Sequence, residues 1–345
     1  MNVEKVAIVG ASGYSGEELV RLLMAHPGAE LVALTSRQQA GQQLQAVYPK
    51  FAAQRYATLP FSDSSVDAVV TSGARVAFLA LPHGVATEFA RPLLKAGLRV
   101  IDLSADFRIK DAAIYEEFYG APQPAPELAR ESVYGLPELY RHQIRDAQLV
   151  ACPGCYPTSV LLPLHPLLSR RLLDPATIVV SSMSGISGAG RNVKSDFLFA
   201  ECNESVRAYS VPKHRHLAEI EQELGKACGK EVRISFTPHL VPMTRGIHTT
   251  IYASPAAGAN GGDITAALAE AYRTEPFIRL RGEAGAPDTK EVVQTNFIDI
   301  AWRFDLRTRR VLLLSAEDNL VKGAAGQAVQ CLNIMCGWPE VTGLL

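Results

Sequence analysis

Residues 5–10, "KVAIVG", form a short β-branched run that is apolar from Val6 onward and passes without a linker into "ASGYSGEELVRLLMAHPG". A parallel strand covered on both faces has this composition. Gly10, Gly13 and Gly16 space a G-x-x-G-x-x-G turn, and behind it Leu19, Leu22, Leu23 and Ala25 line one side of a helix that Pro27-Gly28 ends. Strand, glycine turn and helix in this order let backbone N–H groups approach a pyrophosphate at the positive end of the helix. Gly10, Ser12, Gly13, Tyr14, Ser15 and Gly16 are therefore expected to contact a dinucleotide. The spacing differs from the commoner G-x-G-x-x-G, so a glycine turn without a ligand is the alternative.

About 20 residues past the turn, the next strand, "ELVALTSRQ", ends in Thr35-Ser36-Arg37 without an acid. A bare ribose meets Asp or Glu at this place, whereas Ser36 and Arg37 suit a 2′-phosphate; NADP(H) is expected, against a solvated arginine at a strand end. Strands "RVAFLALP" and "RVIDLSAD" follow, separated by the amphipathic helix "GVATEFARPLLKAG". The pattern is α/β, a Rossmann-type doubly wound parallel sheet, which puts Leu81, Pro82, His83 and Ser104 at carboxyl ends of strands, where such sheets hold ligands.

A chain of 345 residues exceeds the usual single core, so two domains are expected. Residues 1–150 form the dinucleotide-binding domain, completed by residues 318–345, and residues 151–317 form the second domain. Residues 107–147 show no clear periodicity and read as a long connection. Beyond them come longer alternating strands ("ATIVVSSMSG", "GIHTTIYASP", "TNFIDIAWRFD", "RRVLLLSAED"), with helices near 217–228 and 264–274, so an α+β domain is expected there. A net charge of −1 offers no field for nucleic acid, and no apolar run spans a bilayer. Six cysteines in so long a chain fit a reducing, cytoplasmic setting, with no metal site and no disulfide framework.

The second domain opens on "ACPGCYPTS", residues 151–159. Its cysteine pair could be a redox CxxC, half of a metal site, two core side chains, or a nucleophile on a turn. The last fits the residues best: Gly154 supplies an unusual backbone angle, Pro157 suits a first helical turn, and the Cys155 sulfur then sits at a helix N-terminus that supports a thiolate. A thiol nucleophile needs a proton-handling partner, and "VPKHRHLAEIEQEL" offers His214 and His216 beside Lys213, Arg215 and Glu219. "SGISGAGR" brings Ser187 and Gly188 in a loop built for close approach. Arg108, Lys213 and Arg245 are candidates to hold phosphate or carboxylate.

Taken in order across the chain, "VGASGYSGEELVRLL", "LPHG", "DLSADFR", "YGLPEL", "PGCYPTS", "SGISGAGR", "KHRH", "PHLVPMTRGI" and "DNLVKGAAGQA" resemble the long-chain N-acetyl-gamma-glutamyl-phosphate reductases of arginine biosynthesis. The resemblance implies NADPH-dependent reduction of a small-molecule acyl phosphate to N-acetylglutamate 5-semialdehyde through a Cys thioester. It also implies a homodimer or homotetramer, and a second domain of the semialdehyde and glyceraldehyde-phosphate dehydrogenase type. By motif, Cys155 is the nucleophile and His214 the acid/base. Glu204, His216, Arg108 and Arg245 go to substrate, and Ser187, Gly188 and Asn319 to the cofactor. Two departures stand out: Cys152 replaces the family's usual Asn, and Leu217-Ala218 follow the histidines where Thr-Pro or Ser-Pro is usual. A related reductase acting on a carrier-linked acyl phosphate in lysine biosynthesis is the near alternative, and a non-catalytic NADP-sensing regulator the distant one.

Overall fold

Val6–Val9 lose all contact with solvent in β1 (Glu4–Val9), as an apolar strand at the centre of a sheet must. The computed structural model describes residues 2–191 and 193–345. After β1 the chain runs through α1 (Tyr14–Ala25), β2 (Ala29–Thr35), α2 (Leu44–Val47), β3 (Phe61–Ser62), α3 (Val66–Thr71), β4 (Val76–Leu79), α4 (Ala86–Lys95) and β5 (Arg99–Asp102). These strands, with β6 (Val133–Tyr134) and β7 (Leu149–Ala151), form one parallel sheet in the order β3-β2-β1-β4-β5-β7-β6. Chain order reverses between β1 and β4, so the turns after those two strands meet at one place, the position where doubly wound sheets bind ligands.

Residues 107–147 are not the plain connection that their lack of periodicity predicts. They carry α5 (Ala112–Tyr119), α6 (Pro126–Glu131), the edge strand β6 and α7 (Pro137–Asp146). Side chains bonded to backbone hold much of this stretch. Lys110 Nζ donates to the carbonyls of Ala129 and Ser132, each at 2.5 Å, and Gln123 Nε2 to that of Ile109 at 2.7 Å. Such anchoring leaves no hydrophobic rhythm in the sequence.

Contacts divide the molecule into two units. The first comprises the chain up to Ala112, Pro122–Pro153 and Ala324–Leu345; the second comprises Ala113–Ala121 and Gly154–Gly323. In the second, a mixed sheet of β8 (Leu173–Ser184), β9 (Arg207–Ala208), β10 (Ser235–Leu240), β11 (Ile247–Pro255), β12 (Ile278–Gly282), β13 (Ile298–Asp305) and β14 (Arg310–Glu317) runs in the order β12-β13-β14-β11-β8-β10-β9. One face packs on α8 (Cys155–Ser169), beside α10 (Arg215–Cys228) and α11 (Gly261–Tyr272); the four-residue α9 (Phe199–Cys202) lies in a loop. Hydroxyls buried from water tie α8 to the sheet. Thr249 Oγ1 bonds both Ser159 Oγ and Ser182 Oγ at 2.8 Å, and Ser315 Oγ donates to the Ser159 carbonyl at 2.7 Å. On the other face Val179, Met183 and Tyr252 are exposed.

The chain ends in a π-helical turn (Val321–Ala325) and α12 (Gly326–Met335), where the sequence pattern predicts one helix over 320–335. Helix α12 packs in the first unit: Arg99 Nη1 donates to the Met335 carbonyl at 2.7 Å, and buried His26 Nε2 lies 2.9 Å from Asn333 Oδ1. Among the described residues no helix is long and apolar enough to cross a membrane, and no group of three or more His, Cys, Asp or Glu is placed to hold a metal ion.

Candidate active site

At the reversal point of the first sheet, Gly10 has φ +86°, and a Cβ there would lie 2.4 Å from the Ala80 carbonyl and 3.2 Å from Leu81 Cδ2. At Gly16 it would lie 2.3 Å from the Gly10 carbonyl. Both positions exclude any side chain. Gly13, the N-cap of α1, provides no side-chain cap for the amides of the first turn, and Ser12, Gly13, Tyr14 and Ser15 are half-exposed. An uncapped helix N-terminus behind a stripped turn fits a pyrophosphate. Ser36 Oγ and Ser12 Oγ are 2.8 Å apart, and the exposed Arg37 guanidinium lies 3.8 Å from Glu88.

The neighbouring turns are bonded to one another. His83 Nδ1 accepts the Ala105 N–H at 3.0 Å, and Asp106 accepts from the amides of Gly84 and Ala86. Ser104, expected on the cofactor, is buried, with Oγ donating to Asp102 Oδ2 at 2.7 Å. Burial pushes the Asp102 carboxyl up to about 7, against the bonds from Ser104. Pro82 is exposed. Arg108, expected on substrate, is buried, with Nη2 donating to the Leu103 carbonyl at 2.7 Å.

The second unit gathers its chemistry around Gly154. Gly154 has an ordinary extended backbone (φ −68°, ψ 161°), so the expectation of an unusual angle is wrong. Glycine is required there by space: a Cβ would lie 2.5 Å from His216 Nε2. The Gly154 N–H donates to Glu219 Oε1 at 3.0 Å, a fully buried carboxylate one turn beyond His216 on α10. Cys155 follows as the first residue of α8. It is half-buried in a helix otherwise sealed through Leu164, and is a free thiol, as are all six cysteines. Cys152 is wholly buried. Behind the thiol, a Cβ on Gly323 in the π-turn would lie 2.8 Å from Cys155 Cβ, so that turn forms a wall against the sulfur's own side chain.

His214 is the N-cap of α10, and its Nδ1 accepts the His216 N–H at 3.1 Å. Its ring meets those of Tyr156, Tyr209, Phe236 and His216 edge to face. Burial, with the adjacent Arg215 charge, lowers its pKa to about 4. Tyr209 donates its hydroxyl to Tyr156 at 3.0 Å. Burial raises both phenols above their ordinary value, and a charge on Cys155 adds to this, which places the hydroxyls within its field.

In the loop after β8, Asn319 Oδ1 accepts the Gly246 N–H at 2.8 Å, and its Nδ2 donates to Ser187 Oγ at 3.0 Å; Gly188 lies beside it. Arg245 Nη1 lies 3.4 Å from Asp318. Lys213, a candidate anion holder, pairs instead with Glu117 at 2.9 Å over the ring of Phe118. Glu204 is exposed after α9 with φ +58° and is not brought into this cluster. Residue patterns missed Tyr156, Tyr209, Gly323 and the bond from the Gly154 N–H to Glu219. Tyr156 and Gly323 lie inside motifs already singled out, but only the packing shows what they touch.

Two family models match the chain: "Semialdehyde dehydrogenase, NAD binding domain" over residues 5–147 and "Semialdehyde dehydrogenase, dimerisation domain" over residues 155–319. An N-acetyl-gamma-glutamyl-phosphate reductase of Akkermansia muciniphila is 56% identical over 100% of this chain and 99% of its own. The protein of the same name from Syntrophobacter fumaroxidans is 50% identical over 99% and 97%. Among solved structures, the Candida albicans aspartate semialdehyde dehydrogenase with NADP superposes with a TM-score of 0.74 at 16% identity, covering 97% of this chain and 99% of that one. That likeness is one of fold.

Proposed function

The chain belongs to the semialdehyde dehydrogenase family and, within it, to the N-acetyl-gamma-glutamyl-phosphate reductases, and on that premise we propose the following chemistry for its residues. The protein reduces N-acetyl-gamma-glutamyl phosphate to N-acetylglutamate 5-semialdehyde and phosphate, a step of arginine biosynthesis. The observation that carries the residue assignment is the convergence on Gly154: Glu219 on its N–H, the His216 ring against its Cα, and Cys155 next in the chain.

His216 takes the proton from the Cys155 thiol, and the sulfur attacks the acyl carbon. The C–O bond to phosphate breaks and a thioester remains. A nicotinamide dinucleotide held by the glycine turn would supply the hydride for reduction of this thioester. The resulting oxyanion collapses, the C–S bond breaks, aldehyde leaves, and His216 returns the proton to sulfur. Glu219, three residues on along α10, holds the Gly154 N–H and so fixes the backbone that stands between the His216 ring and Cys155. The sequence alone gives this proton to His214, but the packing favours His216, because His214 Nδ1 is already used as a helix cap and no carboxylate supports its charge. Arg245 is assigned to the substrate, and Ser187 and Gly188 to the cofactor.

Gly10 and Ser12 to Gly16 would hold the pyrophosphate, with Leu81 to His83 alongside. Ser12, Ser36 and the weakly paired Arg37 favour a 2′-phosphate, and so NADP(H) over NAD(H). The exposed Val179, Met183 and Tyr252 face of the second sheet suits self-association as a dimer or tetramer. Six free thiols suit the reducing cytoplasm.

The test is the reverse reaction, semialdehyde plus phosphate plus NADP, in wild type and Cys155→Ala. Turnover in the wild type with a loss of ~10⁴-fold or more in the variant is expected. No turnover with the acetylated substrate, or turnover confined to a carrier-linked one, would overturn the substrate assignment.

A further inference from the structure

We propose that residues 336–345 are a latch, which neutral His26 holds shut against the first unit and which protonation of His26 releases.

The network around the ring admits one arrangement of protons. Asn333 Nδ2 donates to the carbonyls of Glu340 and Thr342, each at 2.9 Å. That nitrogen has no further hydrogens, so Asn333 Oδ1, 2.9 Å from His26 Nε2, accepts there and Nε2 carries the hydrogen. On the other side of the ring, Nδ1 accepts the Gly28 N–H at 3.1 Å and carries none. His26 is therefore a neutral imidazole, and its one N–H holds the side chain that ties down residues 340 and 342. A second proton has only Nδ1 to go to, where it would meet the hydrogen of Gly28.

Space is as tight as the bonding. His26 is wholly buried, the Trp338 ring lies 5.2 Å from it, and a Cβ on Gly343, at φ +69°, would lie 2.4 Å from its Cδ2. His26 is also the C-cap of α1, so the latch closes on the end of that helix opposite the glycine turn.

The charged groups nearby are engaged with one another. Glu340 pairs with Arg141 of α7 and accepts from Gln330 at 3.0 Å. Glu4, whose N–H donates to the Gly28 carbonyl, turns its side chain to Arg75 at 3.6 Å. Arg99 bonds the Met335 carbonyl, and burial pushes the Cys336 thiol up to about 11, so it stays neutral. Burial outweighs the bonds to Asn333 and the Thr342 carbonyl and holds the His26 ring below its ordinary pKa. A ring that takes a proton less readily when latched than when free stabilises the latch fully above about pH 6.5, and that stability is lost as pH falls below it. Opening becomes about 10-fold more frequent for each pH unit, until the latched ring itself titrates.

The experiment is hydrogen exchange of the full chain, read by mass spectrometry and corrected for the intrinsic pH dependence of exchange. Within residues 336–344 the amides of Trp338, Thr342 and Leu344 are hydrogen-bonded and report the latch. Between pH 7.5 and 5.5 their protection should fall about 10-fold, while β1 and β11 keep theirs. His26→Gln puts a nitrogen that cannot titrate in the place of Nε2, so protection in that variant should not depend on pH. Asn333→Ala should leave the segment unprotected at both values. Constant protection in the wild type, a pH-dependent loss that persists in His26→Gln, a loss shared by β1, or a protected segment in Asn333→Ala would each overturn the proposal. Should His26→Gln fail to fold, ¹⁵N NMR of the wild-type ring decides: a His26 that titrates at or above the ordinary histidine value, or with its hydrogen on Nδ1, would also overturn it.

Discussion

The glycine turn after β1 and the Gly154 cluster both depend on glycines that a Cβ would violate, but the neighbours differ in kind. At Gly10 and Gly16 the obstacles are backbone carbonyls, 2.4 and 2.3 Å from the added carbon, and backbone cannot step aside. At Gly154 the obstacle is the His216 ring, 2.5 Å away, and a side chain can turn. Glycine in the first region is a condition of folding. In the second it makes room for the His216 ring.

The sharpest break in that contrast is Gly16→Ala. It should destabilise the first unit by about 3 kcal/mol, because overpacking against fixed atoms has no cheap relaxation, and dinucleotide binding should go with it. Denaturant unfolding and a cofactor titration measure both; an unshifted midpoint would show that the turn has slack. Gly154→Ala should behave oppositely. Its backbone angles suit alanine, so the midpoint should hardly move, while turnover falls ~10²-fold as the His216 ring is displaced. Unfolding of this variant would erase the distinction between the two regions. The smallest effect belongs to Arg37→Ala, remote from the reacting carbon. It should reduce an NADPH preference of about 10-fold, mainly through KM, with NADH kinetics unchanged. A preference that survives the change would return Arg37 to the role of a solvated surface charge.

The same contrast explains what could be read in advance. The first sheet was legible because buried parallel strands advertise themselves as apolar runs, and because a glycine turn between strand and helix has few other uses. The placement of Cys155 at a helix start was legible from Gly154 and Pro157, although Gly154 is held there by the His216 ring and not by an unusual angle. Which histidine caps the helix was not legible. Two residues apart at a helix start, one ring becomes the cap and the other does not, and that depends on Tyr156, Tyr209 and Phe236 arriving from three other segments. Residues 107–147 were opaque for another reason, since Lys110 and Gln123 hold backbone there and leave no periodic trace.

Helix α12 gives the molecule an order of assembly. The first unit begins with the first strand, yet Arg99 waits for the carbonyl of Met335 and His26 for Asn333, partners more than 230 positions downstream. The second unit ends at Gly323. During synthesis from the N-terminus, therefore, the unit that emerges first is finished last, because its sheet waits for α12, which follows the whole of the second unit in the chain.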